Sequence, residues 1–294
     1  MKQFDGKKIG EQDLSKRPDK SVMFFMWLLF EGKPVRPSVN EIKQALENKF
    51  GEVDIVSERE ELSSFAIKKY NCEFKEGILP AQVVHSNTME FTQDTISEFE
   101  RYQLWNVPDA DDLLSRCTHK VLVSDMMSAV MEHKLRGEFL MDWLETAVAL
   151  YPECIGVWIP SAGKLFEAEQ IREHQIPRKD RFVYFGVNVR FFNIQGSEDK
   201  VVDTLGMGSM GLPDVQYHFH DLNPNDVVNH AYNVASYIYD GQRPIDDGET
   251  IDGLVHGDIS RNVQWKCRYE EALIQPQRPV IDICPGEFAA GERE

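Results

Sequence analysis

The chain has 294 residues, of which 42% are hydrophobic and 11% aromatic, so it has enough apolar surface for one large domain or two ordinary ones. It carries 49 Asp and Glu against 32 Lys and Arg, a formal net charge of −17, and the acidic residues are spread along its whole length. This composition argues against a disordered tail and against nucleic-acid binding, which requires clustered Lys and Arg.

The first residues predict a leader, a buried strand and a capped helix, in that order. Residues 1–20 are polar and lack apolar periodicity, which is typical of a flexible leader. The apolar run at 22–30 is too short to span a bilayer and predicts a buried strand. Ser38 followed by Glu41 forms a capping box, so we expect a helix that begins there and ends at Gly51.

The rest of the chain predicts further strands and helices, which short apolar runs, alternation and helical periodicity mark out. The expected strands are 65–70, 78–84, 120–124, 155–159, 183–191 and 263–269. The expected helices are short pieces between 92 and 117, a helix at 135–148, and one that Asn223 caps and Gly241 ends.

This series of elements predicts an α+β fold with a mostly antiparallel sheet and helices packed on one face. Two ferredoxin-like halves are one arrangement of this kind. We predict an N-terminal α+β lobe at 21–118, a C-terminal α+β lobe at 119–285 that packs closely on it, and a tail at 286–294. No Ser/Gly-rich linker separates the two lobes.

The five cysteines indicate a reducing compartment. They are odd in number and widely spaced, and they form no C-x-x-C pair, so a disulfide framework is not expected. Cys267 and Cys284 lie in apolar strand-like runs, as buried thiols do. We therefore predict a cytoplasmic protein with reduced thiols.

Residues 206–211 have the spacing G-x-G-x-x-G and follow a strand-like run at 201–205, as a dinucleotide-binding fingerprint does. In such a fingerprint the third glycine lies inside a helix, whereas here Pro213 follows and the next helix begins only near Asn223. The segment is better interpreted as a glycine-bent strand or bulge, and no cofactor is expected.

His218 and His220 would lie on one face of a strand, with Asp221 next to them, as metal ligands often do. His230 follows a short distance along the chain. A catalytic metal needs three placed ligands, and no H-E-x-x-H or similar motif supplies the rest. His218, His220 and Asp221 are therefore weak metal candidates. The alternative is that they are exposed polar residues at the end of a strand.

Ser161 follows the predicted strand at 155–159 and precedes a predicted helix that contains Leu165 and Phe166, which is the setting of a nucleophile elbow. The G-x-S-x-G pattern fails because Ile159 stands in place of the first glycine. We interpret Ser161 as a helix N-cap, and an anion could rest at that helix N-terminus beside Lys164. No residue is assigned a catalytic role.

Four stretches resemble a known family when they are taken in order. They are 154–163 (CIGVWIPSAG), 185–192, 204–215 with its glycines, and the helix from Asn223 with 247–251 (DGETI) behind it. From about residue 120 to 284 the chain resembles the bacterial family called domain of unknown function 4261. That family has no established activity, so the resemblance implies no catalytic residue, and the family pattern does not require histidines at 218 and 220.

These observations favour a non-catalytic cytosolic protein that binds another protein through an acidic face, with a basic protein as the complementary class. We expect an accessory or immunity-type partner, and self-association into a homo-oligomer is left open. Binding to nucleic acid or to a membrane is not expected. Two alternatives stay open: a metal-dependent hydrolase that uses His218 and His220, and a small-molecule sensor built on the sheet.

Overall fold

The computed structural model describes residues 20–174, 181–241 and 245–291. They form two compact units, which we call the N-terminal unit (Lys20 to Gly186) and the C-terminal unit (from Val187 onward). Each unit contains one β-sheet and at least one helix, which confirms the predicted α+β class. The predicted leader lies outside the described residues, apart from Lys20.

The N-terminal unit contains a seven-stranded antiparallel sheet. Its strands are β1 (Phe25–Phe30), β2 (Val53–Glu58), β3 (Leu62–Phe74), β4 (Gly77–Glu90), β5 (His119–Met126), β6 (Gly156–Ile159) and β7 (Lys164–Glu167). They are arranged in the order β2-β3-β4-β5-β1-β6-β7. β5 lies between β4 and β1, so residues on both sides of the predicted lobe boundary at 118/119 belong to the same sheet. The boundary between the two units follows Gly186 instead.

The helices described in this unit are α1 (Val39–Phe50), α2 (Glu98–Arg101), α3 (Ala110–Arg116), α4 (His133–Leu150), α5 (Ala168–Arg172) and α6 (Arg181–Gly186). α1 begins with the predicted capping box, in which the hydroxyl of Ser38 accepts from the N–H of Glu41 at 3.2 Å. It ends at Gly51, whose φ of +88° favours glycine. The rings of Phe50 and Phe139 lie 5.6 Å apart and join α1 to α4.

The C-terminal unit contains a six-stranded sheet. Its strands are β8 (Asn188–Asn193), β9 (Lys200–Leu205), β10 (Asp214–Phe219), β11 (Thr250–Val255), β12 (Asp258–Glu271) and β13 (Pro279–Cys284). They are arranged in the order β11-β12-β13-β10-β9-β8, and neighbours are antiparallel except for β10 and β13, which are parallel. The long connection that a parallel pair needs contains a helix, α7 (Pro224–Asp240).

α7 has the start and the end that the sequence predicts. The side chain of Asn223 accepts from the N–H of Asn225 at 3.0 Å, and Pro224 occupies the first turn. Val227 and Ala231 lie on the buried side of the helix, next to β8, β9 and β10. Within the described ranges, no helix combines the length and the apolar character that crossing a membrane requires.

Several features differ from the predictions. Residues 181–186 form α6, so only the second half of the predicted strand at 183–191 is extended, as β8. A ferredoxin-like half has only the strands of one β-α-β-β-α-β unit, whereas the two sheets have seven and six strands. The two units are therefore not ferredoxin-like halves. The predicted tail is attached through Ala290, whose N–H donates to the carbonyl of His218 at 2.9 Å.

Candidate functional site

The candidate metal ligands lie where β10 ends. His218 is buried in β10, and its Nε2 lies 3.7 Å from a carboxylate oxygen of Asp199. His220 follows the strand, and its Nδ1 lies 2.8 Å from the carboxylate of Asp221. The two imidazoles therefore have different carboxylate neighbours. Among residues 20–174, 181–241 and 245–291, no group of three or more His, Cys, Asp or Glu side chains is arranged to hold a metal.

The third histidine, His230 of α7, is held between β10 and β11. Its Nδ1 lies 2.7 Å from the hydroxyl of Tyr217, and its Nε2 lies 2.8 Å from the carbonyl oxygen of Asp252. Because a carbonyl only accepts, Nε2 carries the proton and Nδ1 accepts from the tyrosine. Burial lowers the pKa of His230 and raises the pKa of Tyr217. Both groups are neutral at pH 7 and link the helix to the sheet.

The glycine segment 206–211 connects two antiparallel strands. A short 3₁₀ turn joins β9 to β10, and Gly206 and Gly211 have φ angles of +132° and +72°, which glycine adopts readily. A dinucleotide site needs a helix whose first N–H groups face the pyrophosphate. Here the N–H of Met207 donates instead to the carboxylate of Asp214 at 3.2 Å. The glycines therefore serve the turn.

Ser161 lies in the turn of an antiparallel hairpin rather than at the start of a helix. β6 and β7 pair up to Ile159 and Lys164, and the residue after Lys164, Leu165, belongs to β7. The predicted N-cap role of Ser161 and the predicted anion site at a helix N-terminus are therefore wrong. The strand–turn–helix geometry of a nucleophile elbow is also missing at this hairpin.

Lys164 is buried at the start of β7. Its Nζ donates to the carbonyl of Tyr184 and lies 5.2 Å and 5.1 Å from the ring centroids of Phe166 and Tyr184. Burial lowers the pKa of Lys164 to about 7, although the two ring faces favour its charged form. These contacts hold the side chain of Lys164 inside the N-terminal unit.

A buried ionic network crosses β8, β9 and β10, and no sequence motif marks it. Arg190 donates to both carboxylate oxygens of Asp203, at 2.9 Å and 2.6 Å. Arg278 donates to Asp203 at 2.7 Å and to Asp214 at 3.1 Å. Two positive and two negative charges therefore balance within the sheet, as buried charges must.

The same arginines also hold the connection between β12 and β13. Arg190 donates to the carbonyl of Gln275 at 2.9 Å. Arg278 donates to the backbone carbonyls of Ile274 and Pro276 in the same connection, and to that of Thr204 in β9. Within the network, burial raises the pKa of Asp214, while the neighbouring guanidinium of Arg278 lowers it. The network is thus occupied by the fold itself, and we interpret it as structural.

A second buried ion pair lies in the N-terminal unit. Nε of Arg136 lies 2.8 Å from the carboxylate of Asp125, and both side chains are fully buried. Asp125 also accepts from the N–H of Phe24 at 2.6 Å and from the hydroxyl of Ser128. This pair joins β5 and α4 to the chain before β1, and its groups are again used for structure.

The surface of the N-terminal unit around α2 and α3 combines exposed aromatic and acidic side chains. Phe99, Tyr102 and Trp105 are 46%, 71% and 50% exposed. The indole N–H of Trp105 donates to the carbonyl of Tyr102 at 3.0 Å, which fixes the ring at the surface. We call this region the acidic aromatic surface, formed by these aromatic residues together with the exposed acids Asp94, Glu98, Asp109, Asp111 and Asp112.

The comparison with protein families concerns the C-terminal unit. Residues 203–284 match the model described as Domain of unknown function (DUF4261), which confirms the predicted resemblance over these residues. The match includes α7 and three members of the buried network, and the predicted resemblance at 120–202 lies outside it. Comparisons with curated proteins and with solved structures gave no match.

Proposed function

We propose that this protein is a non-catalytic cytosolic protein that binds a basic segment of another protein. Its residues 203–284 match the family called domain of unknown function 4261. In this proposal it acts as an accessory or immunity-type partner. The binding site is the acidic aromatic surface, and the observation that carries the proposal is the exposure of three aromatic rings among carboxylates.

The chemistry of this surface suits Lys and Arg side chains. A cation over an exposed aromatic ring gains about 0.5–1 kcal/mol, and aromatic residues are enriched at the centres of protein interfaces. Carboxylates around the rings attract a basic partner and speed its association. The segment is strongly acidic, since between Asp94 and Asp112 it carries six Asp and Glu and one basic residue, Arg101.

Two further observations support the absence of catalysis and the cytosolic location. Buried titratable groups such as His230 and Asp203 are engaged by neighbours within the fold, as the hydroxyl of Tyr217 and the guanidinium of Arg190 illustrate. All five cysteines are free thiols, four of them buried, which suits a reducing compartment.

A quantitative pull-down tests the proposal. The full chain is incubated with native lysate, and the recovered protein is then purified and its affinity measured at several salt concentrations. We expect a stoichiometric partner whose affinity falls with salt, because the Debye length shrinks from about 10 Å at 0.1 M to about 3 Å at 1 M. The combined variant Tyr102→Ser, Asp111→Asn and Asp112→Asn is expected to lose this partner.

A matched variant in the same unit provides the control. Ile78, Glu73 and Glu76 are exposed at the hairpin between β3 and β4. The variant Ile78→Ser, Glu73→Gln and Glu76→Gln therefore changes one exposed apolar side chain and two exposed acids away from the acidic aromatic surface. This variant is expected to retain the partner. Equal recovery by both variants, or an affinity that does not depend on salt, would rule out the acidic aromatic surface as the site.

A further inference from the structure

The exposed side of α7 carries a regular row of neutral polar side chains. Asn225, Asn229, Asn233 and Tyr237 follow one another at intervals of four residues, and all are exposed. The helix contains charged residues only near its ends, at Asp226 and Asp240. In a chain with 28% charged residues, a helix surface without Lys or Glu is unusual, and we call these four residues the amide row.

The amide row has little use within the fold. Asn is a poor helix former because its side chain competes for backbone hydrogen bonds. Nδ2 of Asn233 donates to the carbonyl of Asn229 at 2.9 Å. In the part of the chain that the structure describes, the side chains of Asn225 and Asn229 make no hydrogen bond to protein. The side-chain donors and acceptors of Asn225 and Asn229, and the side-chain oxygen of Asn233, are therefore available to a ligand.

The spacing of the row matches an extended polypeptide. Four residues of a helix rise about 6 Å, and two residues of an extended strand rise about 6.6 Å. A carboxamide offers an N–H donor and a C=O acceptor at once, which is the pair that each peptide unit presents. Successive asparagines could thus bind every second residue of an extended chain through its backbone.

We propose that the amide row binds the main chain of an extended peptide segment from another protein, and that residues flanking the row set which peptide is preferred. The charges around the row select basic flanking residues. Asp221, 80% exposed, and Asp226 lie at the end of the row where α7 begins, and Tyr237, 63% exposed, lies towards the other end. The peptide is expected to carry Lys or Arg near the first end and an apolar residue near Tyr237.

This site differs from the acidic aromatic surface, which lies in the N-terminal unit and recognises side chains. The two proposals fail separately, because the pull-down variant changes Tyr102 and its neighbours and leaves α7 intact. The amide row lies inside the region matched to the family, whereas the acidic aromatic surface does not.

The probe is a pool of fluorescent nine-residue peptides with capped ends, Lys at the first positions and randomised residues elsewhere. Binding to the full chain is measured by fluorescence polarisation. A second pool carries N-methyl groups on alternate residues, which remove backbone donors. We expect the first pool to bind and the second to bind at least about tenfold more weakly, since each lost hydrogen bond removes roughly 1 kcal/mol, or about fivefold.

The variant Asn225→Ala, Asn229→Ala and Asn233→Ala is expected to weaken binding of the first pool by a similar factor. α1 supplies a matched control, because Asn40, Gln44 and Asn48 form a similar exposed row in which Gln44 donates to Asn48 at 3.3 Å. Their replacement by Ala should leave binding unchanged. Asn229→Ala alone should weaken binding of the first pool to a smaller extent. This single variant provides the test if the triple variant does not fold.

Three results would overturn the proposal. They are no binding of the first pool, equal binding of the N-methylated pool, and equal loss in the α1 control. Any of them would mean that α7 does not recognise a peptide backbone and that its asparagines are simply hydrated.

Discussion

The hydroxyl of Tyr151 lies 2.9 Å from Nε2 of His85, and the planes of the two rings are parallel, with an angle of 1° between them. His85 belongs to β4 and is fully buried. Burial, helped by the positive charge of Arg36, lowers the pKa of His85 to about 4. The imidazole is therefore neutral at pH 7, and its protonation requires the surrounding core to open.

This pKa predicts a stability that depends on pH. In the unfolded chain the pKa of a histidine is near 6.5, so between pH 4 and 6.5 the unfolded state binds a proton that the folded state excludes. The free energy of unfolding should rise with pH across this window, by roughly 3 kcal/mol from His85 alone, and level off above it. Urea denaturation between pH 4.5 and 7.5 measures this change.

His85→Gln should remove that share of the pH dependence, because glutamine does not titrate. Gln93→Asn, at an exposed residue without a titratable group, should leave it intact. An unchanged slope in His85→Gln would mean that another group is responsible.

Loss of the shared carboxylate of the buried network should destabilise the C-terminal unit strongly. Asp203→Ala leaves the guanidinium groups of Arg190 and Arg278 without their common partner. We expect a loss of about 3–5 kcal/mol in the free energy of unfolding, measured by urea denaturation. Asp258→Ala, at an exposed position of β12, should change it by no more than about 0.5 kcal/mol. Similar values for the two variants would contradict a structural role of the network.

Gly253 of β11 is predicted to tolerate no larger side chain. A Cβ at this position would lie 2.7 Å from the indole of Trp265 and 2.8 Å from Val263. Because the indole is buried and rigid, Gly253→Ala should cost about 1–3 kcal/mol, seen as a lower Tm in thermal unfolding. Gly32→Ala meets no atom within 4 Å and should be nearly neutral. A neutral Gly253→Ala would show that the strand shifts to make room.

Replacement of the three asparagines of the amide row by Ala should stabilise the protein. Asn229 and Asn233 lie in the helix interior, where each change gains about 0.5 kcal/mol of helix propensity on a surface where no packing is lost, whereas Asn225 lies in the first turn and contributes little. The triple variant should therefore show a Tm a few degrees higher in thermal unfolding. Asn229→Gly should lower the Tm, because glycine is the poorer helix former. A lower Tm in the triple variant would show that the amides stabilise the helix itself.

Elements with local signals could be predicted from the sequence. The ends of α1 and α7 depend on residues within one turn of the helix, such as Ser38 with Glu41 and Asn223 with Pro224. Whether a short apolar run forms a helix or a strand is harder to predict. The buried residues of α6 are also compatible with a strand, because periodicity does not separate the two over six residues.

The buried network could not be located from the sequence, because its members are far apart in the chain. Arg278 follows Asp203 by about 75 residues, and only the order of the strands brings them together. One sequence feature does indicate a buried ion pair. Asp203 interrupts an apolar run in β9, and a charge at such a position requires a buried partner of opposite sign. The identity of that partner still depends on strand order.

The central position of β1 has a consequence for synthesis of the protein. β1 is buried between β5 and β6, which follow it by about 90 and about 130 residues, so a ribosome adding about 5–20 residues per second completes β1 seconds before either neighbour. Until then Met26, Leu28 and Phe30 have no sheet to join. A nascent chain of this length therefore offers an apolar segment to ribosome-associated chaperones, and a pause in translation before β5 would prolong its exposure.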